Sequence, residues 1–216
     1  MLDFGFYNID CMDGMSQYPD KYFDLAIVDP PYGGNDAIGL QNRGGRHCAK
    51  RKDYKIFTNI SPPQEYFDEL KRVSKKQIIW GVNFYEVTGL TGGRLVWDKH
   101  GTAFGRAELA YLSFTKSVDI YEYTWNGMIQ ENMQDKEYRI HPTQKPVALY
   151  EWLLCKYAKD GDIILDTHVG SASSLIACRN TNHKYVGFEI DETYYNAAKQ
   201  RLEDEVAQMN IYDFLG

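Results

Sequence analysis

Residues 23–28, Phe-Asp-Leu-Ala-Ile-Val, run straight into Asp29-Pro30-Pro31-Tyr32-Gly33-Gly34. An apolar run of this length, stopped by two prolines and two glycines, predicts a buried strand that opens into a loop at its carboxyl end. A strand buried on both faces needs a layer on each side, and the remaining sequence offers one. Residues 3–9 read as a short strand, with a helix from about Asp13. Ser61, followed by Pro62, predicts a helix start, with the helix running to about Val73. Strands are expected at 77–81 and 94–99, and 108–115 with 118–125 as a hairpin. A helix should begin near Lys145 with Pro146 in its first turn, carrying Ala148, Leu149, Trp152, Leu153 and Tyr157 at helical spacing. Strands at 162–166 and 184–190 then flank a helix that starts near Ser173, and Asp191 caps a final helix. Strands alternating with helices at both ends of the chain predict an α/β sandwich with a mainly parallel sheet.

Composition narrows the class. Hydrophobic residues make up 44% of the 216, enough for a packed core and too many for a disordered chain. No apolar stretch reaches the roughly 18 residues of a membrane span, and the first residues lack the basic and apolar regions of a signal peptide. Lys and Arg number 24 against 30 Asp and Glu, a net charge of −6, so any grip on nucleic acid must come from a local basic patch. Cys11, Cys48, Cys155 and Cys178 form no CxxC pair, which gives no metal site and no disulfide framework and suits a reducing cytoplasm.

Three constellations could carry chemistry. In Asp29-Pro30-Pro31-Tyr32 the carboxylate accepts hydrogen bonds, the prolines stiffen the turn, and the Pro30 carbonyl is expected free as a second acceptor. With the flat face of Tyr32 these would suit an exocyclic amine on a planar base, although a plain Pro-Pro turn is the alternative. Asp166-Thr167-His168-Val169-Gly170-Ser171 lies between strand and helix, where open α/β sheets bind cofactors, and Glu189 ends the next strand where an acid commonly takes ribose hydroxyls. A single glycine there is not a dinucleotide fingerprint. His141-Pro142-Thr143-Gln144-Lys145-Pro146 sits at a helix start, a place for an anion such as a small cofactor's carboxylate; a capped helix with solvated side chains is the alternative.

Taken together and in this order, the three resemble the beta-class S-adenosylmethionine-dependent DNA amino-methyltransferases, in which the catalytic strand comes first and the cofactor half last. The resemblance spans nearly the whole chain, from Asn8-Ile9-Asp10-Cys11 to the last helix. It implies a Rossmann-like methyltransferase sandwich with a permuted motif order, a single domain over 1–216, and S-adenosylmethionine as cofactor. It implies that Asp29 and the Pro30 carbonyl hold the target amine in the turn stiffened by Pro31, and that Tyr32 stacks on a flipped-out base. It places Asp10 and Cys11 in the adenine-ring pocket, Thr143 and Lys145 at the cofactor carboxylate, Asp166, Thr167, His168, Gly170 and Ser171 in the methionine loop, and Glu189 on the ribose. Asp rather than Ser at the head of the tetrapeptide is more typical of adenine N6 enzymes than of cytosine N4 enzymes. The activity implied is direct in-line methyl transfer to the adenine N6 amine of double-stranded DNA, of the kind found in restriction-modification.

The loop departs from the family's usual Asp-Pro-Phe-x-Gly-Ser-Gly: Thr167 and His168 replace Pro and Phe, and Ala172 replaces the last Gly. His168 is expected to pack as the Phe would, and a methyl at Ala172 would crowd the site if the backbone there has positive φ. The basic stretch with Arg43, Arg46, Lys50, Arg51, Lys52 and Lys55 against Asp53, inside an expected long loop over 35–60, is the candidate for phosphate contact. Segment 116–140, with Tyr121, Tyr123, Trp125 and Asn126, is the other recognition candidate, unless its strand-rich half is core. The tail 208–216, Gln-Met-Asn-Ile-Tyr-Asp-Phe-Leu-Gly, resembles peptides that bind DNA sliding clamps, with packing back onto the domain the simpler expectation. Many family relatives pair as homodimers. The competing functions are transfer to cytosine N4, RNA, a nucleotide or a protein glutamine amide, and a silent nucleic-acid-binding module whose cofactor loop has decayed.

Overall fold

The apolar run at 23–28 becomes strand β2 (Phe23–Val28) of a computed structural model that describes residues 1–33, 59–101, 105–126, 129–134 and 136–215. Alternate residues of β2 serve opposite layers, as the pleat requires. Ala26 and Val28 pack with Phe67, Leu70 and Phe188. Leu25 and Ile27 pack on the other face with Trp80, Trp97, Leu149 and Leu153. A strand covered on both faces has no polar side to show, which is why its sequence does not alternate.

The other strands are β1 (Gly5–Tyr7), β3 (Ser74–Trp80), β4 (Gly93–Asp98), β5 (Ala107–Leu112), β6 (Val118–Glu122), β7 (Ile163–Asp166) and β8 (Lys184–Phe188). They form one sheet in the order β1-β8-β7-β2-β3-β5-β4-β6. Only β5 runs against its neighbours among these strands. The pairing of β2 with β7 (Ala26↔Leu165) sets a strand from the start of the chain beside one from its last third. Among the described residues five α-helices, α1 (Cys11–Ser16), α2 (Gln64–Val73), α3 (Val147–Tyr157), α4 (Ser173–Asn180) and α5 (Glu192–Leu215), join them. None of the described helices is long and apolar enough to cross a membrane.

The hairpin of 108–115 with 118–125 does not form. Instead β5 pairs with β4 (Leu95↔Ala110), and β6 lies on the far side of β4, parallel to it (Leu95↔Asp119). The connection crosses the start of β4, where Gly93 N–H donates to Thr115 O at 2.6 Å and Arg94 N–H to Ser117 O at 3.0 Å. A Cβ on Gly93 would stand 2.4 Å from Ser117 O, so a side chain there would block the crossing. Helix α1 starts two residues before Asp13, because Asp10 Oδ1 accepts from Met12 N–H at 2.8 Å and caps it. Ser61 does not cap α2, which starts after the extended Pro63; Pro62 and Pro63 disfavour helical torsions in Ser61 and Pro62, the residues before them. Pro146 likewise stands just outside α3, in extended conformation. Asp191 caps α5 as expected, accepting from Thr193 N–H at 2.8 Å. That helix continues to Leu215, so the backbone of 208–215 is helical rather than a separate tail.

Candidate active site

The carboxyl ends of β1, β8, β7 and β2 lie side by side, and each is followed by residues singled out in the sequence. Such strand ends are where open α/β sheets place ligands. A pocket there is lined by Ile9, Asp10, Cys11, Thr167, His168, Glu189 and Ile190. Five of the candidate cofactor residues, Asp10, Cys11, Thr167, His168 and Glu189, thus meet in one pocket. Ile9 and Ile190 add apolar walls that the sequence reading did not include.

Glu189 is tied to its surroundings. Oε2 accepts from Gly170 N–H and Oε1 from Asp191 N–H, both at 2.9 Å. Each oxygen keeps lone-pair capacity for a hydroxyl. Burial raises the Glu189 pKa, more than these N–H donors lower it. Asp166 is buried at the end of β7, where its oxygens accept from His168 N–H (2.9 Å) and the Ser174 hydroxyl (2.5 Å). Burial pushes its pKa up to about 7. Asp166 therefore shapes the loop from beneath and is not a pocket-lining acid. Ser171 is also buried; its hydroxyl pairs with that of Ser173 at 3.1 Å.

His168 packs edge-on against Tyr66, ring centres 5.4 Å apart, and burial holds its pKa down to about 4. It is a neutral aromatic ring at pH 7, as expected, with Nδ1 2.9 Å from the Thr167 hydroxyl. Thr167 in turn meets the Tyr66 hydroxyl at 2.6 Å. Ala172 takes the left-handed conformation (φ 64°, ψ 14°) fully buried at the start of α4, so the condition on which its methyl would crowd the site is met.

Asp29 follows β2 and is half-buried. Oδ1 accepts from the Tyr32 hydroxyl at 2.6 Å, and Oδ2 from Lys145 Nζ at 2.5 Å. The Pro30 carbonyl is not free: the buried Tyr85 hydroxyl donates to it at 2.8 Å, leaving one lone pair. The Tyr32 ring stacks on Phe84 with centres 4.8 Å apart and planes 11° apart, and Phe84 is 48% exposed. A base stacking on Tyr32 at that face would take the place of Phe84. Pro31 stands between Pro30 and Tyr32 in the turn.

The stretch 141–146 behaves differently from its sequence reading. Lys145 is buried and reaches Asp29 and Glu108 (3.0 Å), not an open anion site. The first amide of α3, Val147 N–H, is taken by Glu137 Oε1 at 2.9 Å. Glu137 Oε2 pairs with Arg201 at 2.7 Å, and Arg201 also donates to Ser171 O (2.7 Å) and the Ser173 hydroxyl (2.9 Å). The anion expected at this helix start is thus the chain's own Glu137. Thr143 is exposed, its hydroxyl 3.0 Å from His141 Nδ1.

Of the recognition candidates, Arg43, Arg46, Lys50, Arg51, Lys52 and Lys55 lie outside the described residues. Trp125 is core, and Tyr121 and Tyr123 are partly buried against the same cluster. Trp125 is buried, with its indole N–H donating to Gln144 O at 2.9 Å, and Tyr121 packs on Trp152 at 4.7 Å. The strand-rich half of 116–140 therefore belongs to the sheet.

The type II methyltransferase M2.DpnII of Streptococcus pneumoniae is 33% identical over 241 residues, covering 91% of this chain and 88% of that protein. The DNA methylase family of N6/N4 type also matches residues 96–200. The chain belongs to the N6/N4 DNA methylases. Two solved structures share the fold of the methylase at low sequence identity. M1.HpyAVI in complex with SAM gives a TM-score of 0.54 at 19% identity, covering 91% of this chain and 98% of that one. The cytosine-N4-specific PvuII DNA methyltransferase gives 0.58 at 14%, covering 93% and 90%.

Proposed function

We propose that this DNA methylase transfers a methyl group to the exocyclic N6 amine of adenine in double-stranded DNA, on a base turned out of the helix. The observation that carries the reading is the position of Asp29. It stands at the end of β2, fixed by Tyr32 and Lys145, beside the strand end that forms the pocket of Asp10, Cys11, Thr167, His168 and Glu189.

That pocket fits S-adenosylmethionine: apolar walls from Ile9 and Ile190 suit a flat ring, and Glu189 retains lone pairs for ribose hydroxyls. Asp166 and Ser171 are buried in the loop behind it, the Gly170 N–H holds Glu189, and Thr143 is exposed two residues after His141. When bound, S-adenosylmethionine supplies an already activated sulfonium methyl.

An adenine amine is a weak nucleophile because its lone pair is delocalised into the ring. Asp29 and the remaining lone pair of the Pro30 carbonyl accept its two hydrogens and favour a tetrahedral nitrogen. The Asp29 carboxylate then stabilises the positive charge that develops there, and Pro31 and Tyr32 hold the geometry for direct transfer. Asp at position 29, rather than Ser, favours adenine over cytosine. Arg43, Arg46, Lys50, Arg51 and Lys52 supply the phosphate contacts, in an otherwise acidic chain.

The test is transfer of labelled methyl from S-adenosylmethionine to unmethylated duplex DNA, with Asp29→Ala alongside and nucleoside analysis of the product. N6-methyladenine from the wild type and none from the variant is the expected result. N4-methylcytosine would reassign the acceptor base, and no label on DNA from a chain that binds the cofactor would overturn the reading.

A further inference from the structure

Lys145 stands between two carboxylates. Its side chain is 4% exposed, with Nζ 2.5 Å from Asp29 Oδ2 and 3.0 Å from Glu108 Oε2. Glu108, on β5, is held from its other side by Lys99 at the end of β4. Lys99 also lies over the Trp97 ring, 4.5 Å from its centre. The result is a chain of alternating charge, Asp29, Lys145, Glu108, Lys99, which sums to zero.

This balance bears on the reaction proposed above, on which the inference rests. Methyl transfer places positive charge on a nitrogen held by Asp29. An ammonium on the same carboxylate opposes that charge unless its own is offset. Glu108 is the carboxylate placed to offset it, and it also fixes where Lys145 points. We propose that Glu108 is a positioning residue for methyl transfer: it holds and neutralises Lys145, so that Asp29 meets the acceptor amine as an effective anion.

Glu108→Gln leaves one uncompensated positive charge near the reacting nitrogen. A unit charge several ångströms from a half-formed one, at an effective dielectric of about 20, slows transfer about tenfold. Removing Lys99 as well restores the balance. The experiment is single-turnover methyl transfer from S-adenosylmethionine to duplex DNA by wild type, Glu108→Gln, and Glu108→Gln with Lys99→Met. Calorimetric cofactor affinity and thermal melting are measured on each.

The expected result is about tenfold slower transfer in Glu108→Gln with cofactor affinity unchanged, and recovery of most of the rate in the double variant. A double variant as slow as the single one, a single variant at the wild-type rate, or a parallel loss of cofactor affinity would each overturn the proposal. If Glu108→Gln does not fold, the charge-balanced double variant is expected to fold and transfer methyl; failure of both to fold would make the role merely structural and overturn it. A wild type that binds cofactor yet transfers nothing to DNA would overturn the methyl-transfer reading itself, and this inference with it.

Discussion

Asp29→Asn probes the centre of the site with almost no change in shape. In the native protein Lys145 is buried with two carboxylate partners at 2.5 and 3.0 Å. At an effective dielectric of about 20 the gross attractions are about 7 and 5–6 kcal/mol, much of which offsets the cost of desolvating three charges. Losing one partner of a buried pair costs about 3–5 kcal/mol. Glu108 remains in place and the amide oxygen still accepts, so the low end applies, about 3 kcal/mol. In a chain of this size that is a fall in Tm of about 6–12 °C. Transfer should drop at least about 100-fold, the scale of losing a preorganised charge. Cofactor affinity should hold, because the pocket residues are untouched. The partner experiment adds Lys145→Met: Glu108 and Lys99 then balance each other, and the double variant should be more stable than Asp29→Asn alone. Urea and thermal melts with calorimetric cofactor binding read all of this. An Asp29→Asn protein as stable as the wild type, or a double variant less stable than the single one, would refute the buried charge network.

Three further outcomes follow from the same geometry. His168 has a pKa held down to about 4, so the unfolded chain takes up its proton as the pH falls below about 6.5 while the folded chain does not until near 4. Wild-type stability is lost through that window, and His168→Phe should gain about 1–2 kcal/mol relative to wild type between pH 7.5 and pH 5, by urea melts at both values. At Ala172, glycine relieves left-handed strain of about 1–2 kcal/mol, but loses a buried methyl worth about 0.8 kcal/mol and about 0.4–1 kcal/mol through unfolded-chain entropy. Ala172→Gly should therefore change stability by less than about 1 kcal/mol, whereas Ala172→Val, a β-branched residue at positive φ, should cost clearly more in the same melts. Tyr85→Phe removes the donor to the Pro30 carbonyl; it should cost about 1 kcal/mol and leave transfer within about threefold, since the lone pair offered to the amine was never the one Tyr85 used.

Much of the site was legible because its residues sit in short local patterns. Asp29 through Tyr32 end an apolar run, Asp166 through Ser171 separate a strand from a helix, and Glu189 follows the next strand. A residue at a strand's carboxyl end faces the ligand edge of an open parallel sheet whatever the loops do. The packing of His168 as an aromatic ring was legible for the same local reason, whereas the left-handed backbone at Ala172 came only from the structure.

Glu108, Lys99 and Tyr85 gave no such signal. Glu108 opens the segment Glu-Leu-Ala-Tyr-Leu, where a charge at the start of a strand reads as solvated. Its function depends on β5 lying against β3 and β4, a pairing that local pattern cannot specify. Lys145 was found but assigned to the wrong anion, because its partner Asp29 is 116 positions away in the chain.

Sequence alone determined the α/β class, the carboxyl-end position of Asp29 and the pocket acids, since hydrophobic period, proline and glycine act within a few residues. Tertiary structure decided the strand order, the crossing of residues 113–117 over Gly93, and which charges neutralise which. Those depend on distances between segments far apart in the chain, and such distances exist only once the sheet has closed around β2.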